Sequence, residues 1–404
     1  MYTRRDFVSL LSAAVTAGVA QPGLAAQEPS LADPFGLRND FPVTNKFAYL
    51  NTPYIGPSPQ VVVDSVKTFL QAKADNPTRL GPMLKVTSEV RRKFASLVNA
   101  DVGEIGLLST TSEGENIITA ALDLRAGDNV VIDDLHYDTT LILYNQLAKS
   151  HGIELRIVAS VDGAARADDF AELVDERTRL ISVSWVSHQN GYRHDLKALA
   201  KLAHENDGYL YVDAIQGIGA LDLDVRHEEV DFFTSGSYKW LYAGFGVAPF
   251  FVRSELLDKI TPDRVGWRQV ESETGPSQFH IYDDARKFGY ATPAFAAVYQ
   301  LDTALDYLSM HKVEAIEQHG VSLATRLNQT LREQGFDVLT PHSNRSTIVA
   351  FKHGIDAARA KRAIEDANIQ LSFREQDSQI RAGIGIFNND DDVDRLISVT
   401  RGWR

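Results

Sequence analysis

Cysteine is absent from all 404 residues. No disulfide, thiolate nucleophile or cysteine-ligated zinc can form within the chain, and any reaction that must park an atom on a protein thiol is closed to it. Nor is there a run of like charge long enough to make a tail; 41 Lys+Arg stand against 54 Asp+Glu, a net charge of −13. A chain of that sign is repelled by phosphate backbones and anionic headgroups, which makes nucleic acid and anionic membrane surfaces poor partners. Internal repeats and low-complexity tracts are also missing. His194, His204 and Glu205 lack zinc-ligand spacing. Gly244-Phe245-Gly246 lacks the remaining spacing and helix of a dinucleotide loop and reads instead as backbone passing close to a ligand.

What is present is an ordinary globular composition, 44% apolar and 24% charged, long enough for one large core and a satellite domain. Thr3-Arg4-Arg5-Asp6-Phe7 leads into a mildly apolar run from Val8 to Ala20, then Pro22, Ala25 and Ala26. The run falls short of the roughly 20 residues that span a bilayer. The segment resembles a twin-arginine export signal, which implies a signal peptide over residues 1–26, a periplasmic protein and no anchor after cleavage.

From Glu104 to Val252 short β-rich runs alternate with amphipathic ones: Asn129-Val130-Val131-Ile132, Leu180 to Ser184, and Tyr209-Leu210-Tyr211-Val212, with a helical stretch from His194 to Asn206. Repeated strand, helix, strand means a parallel sheet covered by helices. Such sheets bind ligands at the carboxyl ends of their strands. Around Glu271 to Asp284 the composition turns polar, and a long helical stretch from Pro293 to Gln318 reads as a bridge. Strands at Ser346 to Phe351 and Gln379 to Ile386, with a helix from Ile355 to Ala367, predict a small α+β domain.

Two features carry chemistry. Tyr211-Val212-Asp213-Ala214-Ile215-Gln216 is an apolar strand ending in a carboxylate, a residue that also serves as a cap. Phe232-Phe233-Thr234-Ser235-Gly236-Ser237-Tyr238-Lys239-Trp240 ends, 26 positions after Asp213, in hydroxyls and a lysine between aromatics. Desolvation there lowers a lysine's pKa and favours the amine, although a lone lysine also snorkels at surfaces.

Together these segments resemble the fold-type I enzymes of pyridoxal 5'-phosphate (PLP). Within them they are most similar to the class V aminotransferase family of isopenicillin N epimerase-like proteins, kynureninases and cysteine desulfurases, from about Tyr49 to Leu396. The resemblance implies an α/β PLP-dependent transferase fold: a large domain, residues 51–285, with a mostly parallel sheet and helices on both faces, and a small C-terminal α+β domain, 286–404, including the connecting helix. Residues 27–50 would lie on the small domain. It further implies a homodimer with a shared active site.

By the same resemblance Lys239 forms the Schiff base with PLP and Asp213 holds the proton on the pyridine nitrogen. Gln216 and His188 lie near the cofactor's phenolic oxygen; a core histidine is the alternative at 188. Thr111 and Ser112, in Ser109-Thr110-Thr111-Ser112-Glu113-Gly114-Glu115-Asn116, cradle the phosphate at a helix N-terminus, where a plain capping cluster would show the same residues. Ser237 and Tyr238 add phosphate contacts, Thr292 does so from a partner subunit, and Tyr137 stacks on the ring but is a poor proton shuttle near neutrality. Arg381, in Gln379-Ile380-Arg381-Ala382-Gly383-Ile384, or else Arg374, grips the substrate carboxylate, with Asn51 on the substrate side; a surface salt bridge is the alternative.

The chemistry expected is Cα–H cleavage on a small amino acid with Lys239 as base, leading to transamination or epimerisation. The alternative is a C–S or kynureninase-type lyase. A PLP-fold binding protein without turnover is the third reading, against which Lys239 and Asp213 both speak. Transfer of sulfur to an enzyme thiol is excluded by the missing cysteine.

Overall fold

The computed structural model describes residues 33–77 and 79–403; the Arg4-Arg5 segment and its expected signal lie outside them. β1 (Ala48–Tyr49) is followed by the seven strands of the main sheet: β2 (Ile105–Leu108), β3 (Asn129–Asp133), β4 (Glu154–Val158), β5 (Thr178–Ser184), β6 (Tyr209–Asp213), β7 (Phe232–Thr234) and β8 (Ala248–Val252). Their spatial order is β2-β8-β7-β6-β5-β3-β4, with β8 alone antiparallel to its neighbours. Side chains alternate between two buried faces. Val130 and Ile132 go to one cluster and Val131 to the other; Tyr211 and Phe232 join the first, Val212 and Phe233 the second. A strand buried on both faces needs apolar residues at every position, which is why these runs lack the alternation of a half-exposed sheet.

Helices cover both faces. Thr111–Ala121 and Asp138–His151 bury Ile117, Ile118 and Tyr144 on one side, and Leu80–Leu97 and Leu196–His204 bury Phe94, Leu199 and Ala203 on the other. The connections are parallel crossovers, so the C-terminal ends of β2, β3, β5, β6 and β7 open along one edge of the sheet. The polar stretch read as a bridge contains an exposed antiparallel hairpin, β9 (Val270–Gly275) and β10 (Gln278–Ile281).

The small domain is built on β11 (Asp337–Val338), β12 (Ile348–Lys352), β13 (Ile369–Gln370), β14 (Ser372–Arg374) and β15 (Gln379–Gly383). Four of these form an antiparallel sheet in the order β11-β12-β15-β14, and β13 pairs in parallel with β1. Helices Ala357–Asp366 and Asp390–Arg401 share its core with Val349, Phe351, Ile380 and Ala382.

Two domain boundaries differ from the sequence expectation. The stretch from Pro293 to Gln318 is two helices, Phe295–Ser309 and Val313–Glu333. The first buries Val298, Leu301, Ala304 and Leu305 in the large core, so it is no connector. The chain passes between cores inside the second, where Ile316 and Val321 belong to the large cluster and Leu323 to Leu331 to the small one. The N-terminal segment is divided likewise: Ala48 and Leu50 enter the small core, whereas Leu37 and Phe41 enter the large one. Apolar periodicity tells which residues are buried but not against what. Among the described residues no helix is long and apolar enough to cross a membrane.

Candidate active site

A cavity of about 360 Å³ lies at the carboxyl edge of the sheet. It is lined by Ser109 to Ser112 after β2, Tyr137 after β3, Ser184 and His188 at and after β5, Asp213 to Gln216 at the end of β6, and Gly236, Tyr238 and Lys239 after β7. Five strand ends thus meet, as an open α/β sheet places a ligand.

Lys239 is 8% exposed, and its amine has no hydrogen-bond or ion-pair partner among the described residues. Burial, assisted by Arg381 and Arg374 and opposed by Asp213, lowers its pKa to about 8. The amine form is therefore accessible near neutrality, as a nucleophile or base requires. Its backbone is held from outside. Gly56 donates its N–H to the Tyr238 carbonyl at 2.9 Å, and a Cβ on Gly56 would come within 1.7 Å of the Lys239 carbonyl oxygen. Only glycine lets that loop cross so closely.

Asp213 accepts the Ile215 N–H at 3.0 Å through Oδ1, and burial raises its carboxyl to about 6. A cationic ring nitrogen beside it would restore the carboxylate, which is the chemistry of a pyridinium partner. His188 is 5% exposed, and both its ring nitrogens lack partners. Burial and the charges of Arg374, Arg381 and Lys239 lower its pKa to about 3, so the ring is neutral and has one donor and one acceptor to offer. Tyr137 stands edge-on to it, ring centres 5.1 Å apart.

The helix Thr111–Ala121 begins at this cavity. Thr110 caps it by accepting the Glu113 N–H at 3.2 Å, and Glu113 reaches back to the Ser109 N–H at 2.8 Å, a Thr-x-x-Glu capping arrangement. Its N-terminal turn, with the Ser112 hydroxyl, faces the space where a dianion is favoured. Thr111 Oγ1 accepts the Gly236 N–H at 3.0 Å, tying the turn to the lysine segment.

Two expected site residues are placed differently. Ser237 is fully buried and donates towards the Gly244 and Val247 carbonyls at 2.7 and 3.0 Å, so its hydroxyl braces the loop and is not aimed at a phosphate. Gln216 lines the cavity, but its amide donates to the Pro53 carbonyl and accepts from the Trp240 indole, each at 3.0 Å, so it fastens the lysine segment. Thr292, expected to act from a partner subunit, lines a separate cavity of about 480 Å³ with Trp267 and Arg286. Tyr238 lines the cavity wall and stacks on Phe245 at 4.4 Å. On the substrate side, Arg381 donates to the His188 carbonyl at 2.6 Å and to Ser372 Oγ at 3.3 Å, and Ser372 donates to Asn51 Oδ1.

Sequence reasoning missed a buried polar layer beneath the site. The Tyr137 N–H donates to His136 Nδ1 at 2.7 Å, which puts the ring proton on Nε2, facing Ser182 Oγ at 3.1 Å. Ser182 donates to Glu115 Oε1 at 2.6 Å, and Tyr144 and Thr140 also donate to that carboxylate. Ser184, which lines the cavity, lies 3.2 Å from His136 Nδ1 and is the register neighbour of Asp213. Polar residues inside apolar strands, here Ser182 and Ser184, were the available signal.

Burial, with the Asp213 charge, raises Glu115 from 4.5 to about 7 against the hydroxyls of Ser182, Tyr144 and Thr140. Folding thus favours the protonated acid. The associated stability is whole below pH 4.5 and is lost as pH rises through about 7. Glu115→Gln, which keeps the shape, should match wild type at about pH 4 and exceed it at about pH 8.5 by on the order of 3 kcal/mol. Denaturant melts at both pH values check this; equal differences at the two would overturn it.

A family model for the class V aminotransferases matches residues 49–396. The chain belongs to this family. The class V protein is 25% identical over 385 residues, 89% of it and 95% of the relative, to a probable cysteine desulfurase of Methanothermobacter thermautotrophicus. It is 27% identical over 391 residues to a cysteine desulfurase of Dickeya dadantii, covering 90% and 94%. Among solved structures it resembles the cysteine desulfurase CsdA of Escherichia coli, with a TM-score of 0.80 at 23% identity over 91% of this chain and 97% of that one. It also resembles the cystine C–S lyase C-DES bound to its product cysteine persulfide, with a TM-score of 0.82 at 20% identity over 89% and 99%.

The protein is thus a PLP-dependent enzyme of fold type I. Its own residues fit the cofactor: a buried, unpaired lysine, a carboxylate at the floor, a helix N-terminus with hydroxyls, and an imidazole with two unsatisfied nitrogens share one cavity.

Proposed function

We propose that this enzyme is a lyase that cleaves the bond between Cβ and a sulfur-bearing substituent of an amino acid and releases the fragment into solution. The observation that carries the reading is the complete absence of cysteine in a chain whose relatives are named for C–S chemistry. With no thiol to receive sulfur, the departing fragment leaves free. These relatives support the lyase reading over transamination or epimerisation, which start from the same Cα–H cleavage.

Bound PLP supplies an electron sink for the substrate Cα. Lys239 would hold it through Nζ and would also be the base that takes the substrate's Cα proton; its lowered pKa suits both roles. Asp213 would hold the proton of a ring nitrogen, and the neutral His188 ring, with both nitrogens unpartnered, would offer a further hydrogen bond. Arg381 meets the α-carboxylate, its guanidinium already fixed by His188 and Ser372. Tyr137 lines the same cavity and would lie against the ring. Thr292, remote from this cavity, serves the site of a second subunit in a homodimer.

The test is an amino-acid panel, with and without 2-oxoglutarate, on the purified holoenzyme. S-substituted cysteines should yield ammonia and a released thiol fragment without an acceptor. Keto acid formed only with 2-oxoglutarate, or deuterium exchange with inversion and no fragment, would overturn the lyase reading. Light scattering on the same preparation should give twice 44.7 kDa; a monomeric holoenzyme would contradict the shared site.

A further inference from the structure

Beside the cavity, where Arg381 bonds the carbonyl of the lining residue His188, stands more positive charge than one α-carboxylate uses. Residues two apart on a strand share a face, so Ser372 and Arg374 point the same way from β14. Register sets Arg381 opposite Ser372 and Gln379 opposite Arg374, which makes Arg374 and Arg381 diagonal neighbours across the two strands. Arg381 is 2% exposed; its contacts are a carbonyl and a hydroxyl, and its Nε is unpartnered. Arg374 is half-buried and has no hydrogen bond or ion pair among the described residues.

The surroundings do not neutralise this pair. Neither guanidinium has an ion-pair partner among the described residues, and the charge of Arg374 works with burial to lower the Arg381 pKa. Asp213 is committed to the ring nitrogen, and the phosphate belongs at the helix Thr111–Ala121, away from β14 and β15. Beside the arginines lies the buried His188 ring with two free nitrogens, which opens on the cavity. Adjacent guanidiniums without counter-charge are destabilising unless a ligand brings the anions.

We propose that Arg374 forms a second anion subsite, and that the substrate is an amino acid whose side chain carries its own anionic group, with Arg381 holding the α-carboxylate. This rests on the amino-acid reading above and adds the charge of the part that departs. A planar guanidinium donates pairwise to carboxylate or sulfonate oxygens, so either group fits.

The test is calorimetric binding of a size-matched pair, S-carboxymethyl-L-cysteine and S-carbamoylmethyl-L-cysteine, to the holoenzyme. Wild type should bind the carboxymethyl compound at least about tenfold more tightly. Arg374→Gln should bring the ratio to within about threefold, Arg374→Lys should retain a clear preference, and Arg381→Lys should weaken both ligands. A wild-type ratio near one, or a ratio untouched in Arg374→Gln, would overturn the subsite. Preference without release of a side-chain fragment would remove the lyase reading and keep the subsite; release without preference would do the reverse. Failure of both ligands to bind would overturn the two together.

Discussion

A Lys239→Ala enzyme is expected to lose turnover by at least about 10⁴-fold, since one side chain supplies both the covalent anchor and the base. The fold around it should persist, because the segment is held by backbone and neighbours: Gly56 N–H on the Tyr238 carbonyl, and Gln216 on the Trp240 indole. A second readout separates lost chemistry from lost structure. Borohydride treatment should fix the cofactor irreversibly on the wild-type peptide containing Lys239 and on no peptide of the variant. The lysine's lowered pKa adds a direction: cofactor uptake by the apoprotein should accelerate as pH rises through about 8, where the amine loses its proton. Labelling at another lysine, or retained turnover in the variant, would remove Lys239 from its role.

Asp213→Asn is expected to reduce turnover by on the order of 10²–10⁴-fold, the range over which a positioned proton-holding group acts. Asparagine preserves the shape, and its oxygen can still accept the Ile215 N–H. What changes is the partner offered to the ring nitrogen: an amide N–H donates where a carboxylate accepted, so the nitrogen loses its proton and the ring much of its electron demand. The cofactor should stay bound while its absorption spectrum shifts, and Asp213→Glu should recover part of the activity. Turnover within threefold of wild type in Asp213→Asn would show that the electron sink does not depend on this carboxylate.

Much of this site was legible in the sequence because sheet topology turns sequence order into proximity. Asp213, Lys239, Tyr137, His188 and the 109–112 turn each follow a β-rich run, and parallel strands bring such positions to one edge. The strands themselves were readable from their continuous apolar character. Ser237 and Gln216 were misjudged because a residue's place after a strand fixes its neighbourhood but not where its hydrogen bonds go; Ser237 turns to two carbonyls, Gln216 to Pro53 and Trp240. The Glu115 layer was hidden for a different reason. Within Thr111–Ala121 the helical turn sends Glu115 inward and Glu113 back to the cap, a distinction of phase that the polar string 109–116 does not display. The domain limits failed because the helix Phe295–Ser309 is apolar for the large core rather than for a junction.

The bond from Arg381 to the His188 carbonyl joins a strand of the small domain to a loop of the large one. The group proposed to receive the substrate's carboxylate is therefore also a rivet between the two bodies. A ligand that settles on that guanidinium tightens the rivet, so occupancy and inter-domain cohesion rise together by linkage. It follows that sequence drift in the small domain, far from the pyridoxal ring, is not silent: whatever tilts β15 moves both the seam and the reacting carbon's carboxylate handle in one displacement.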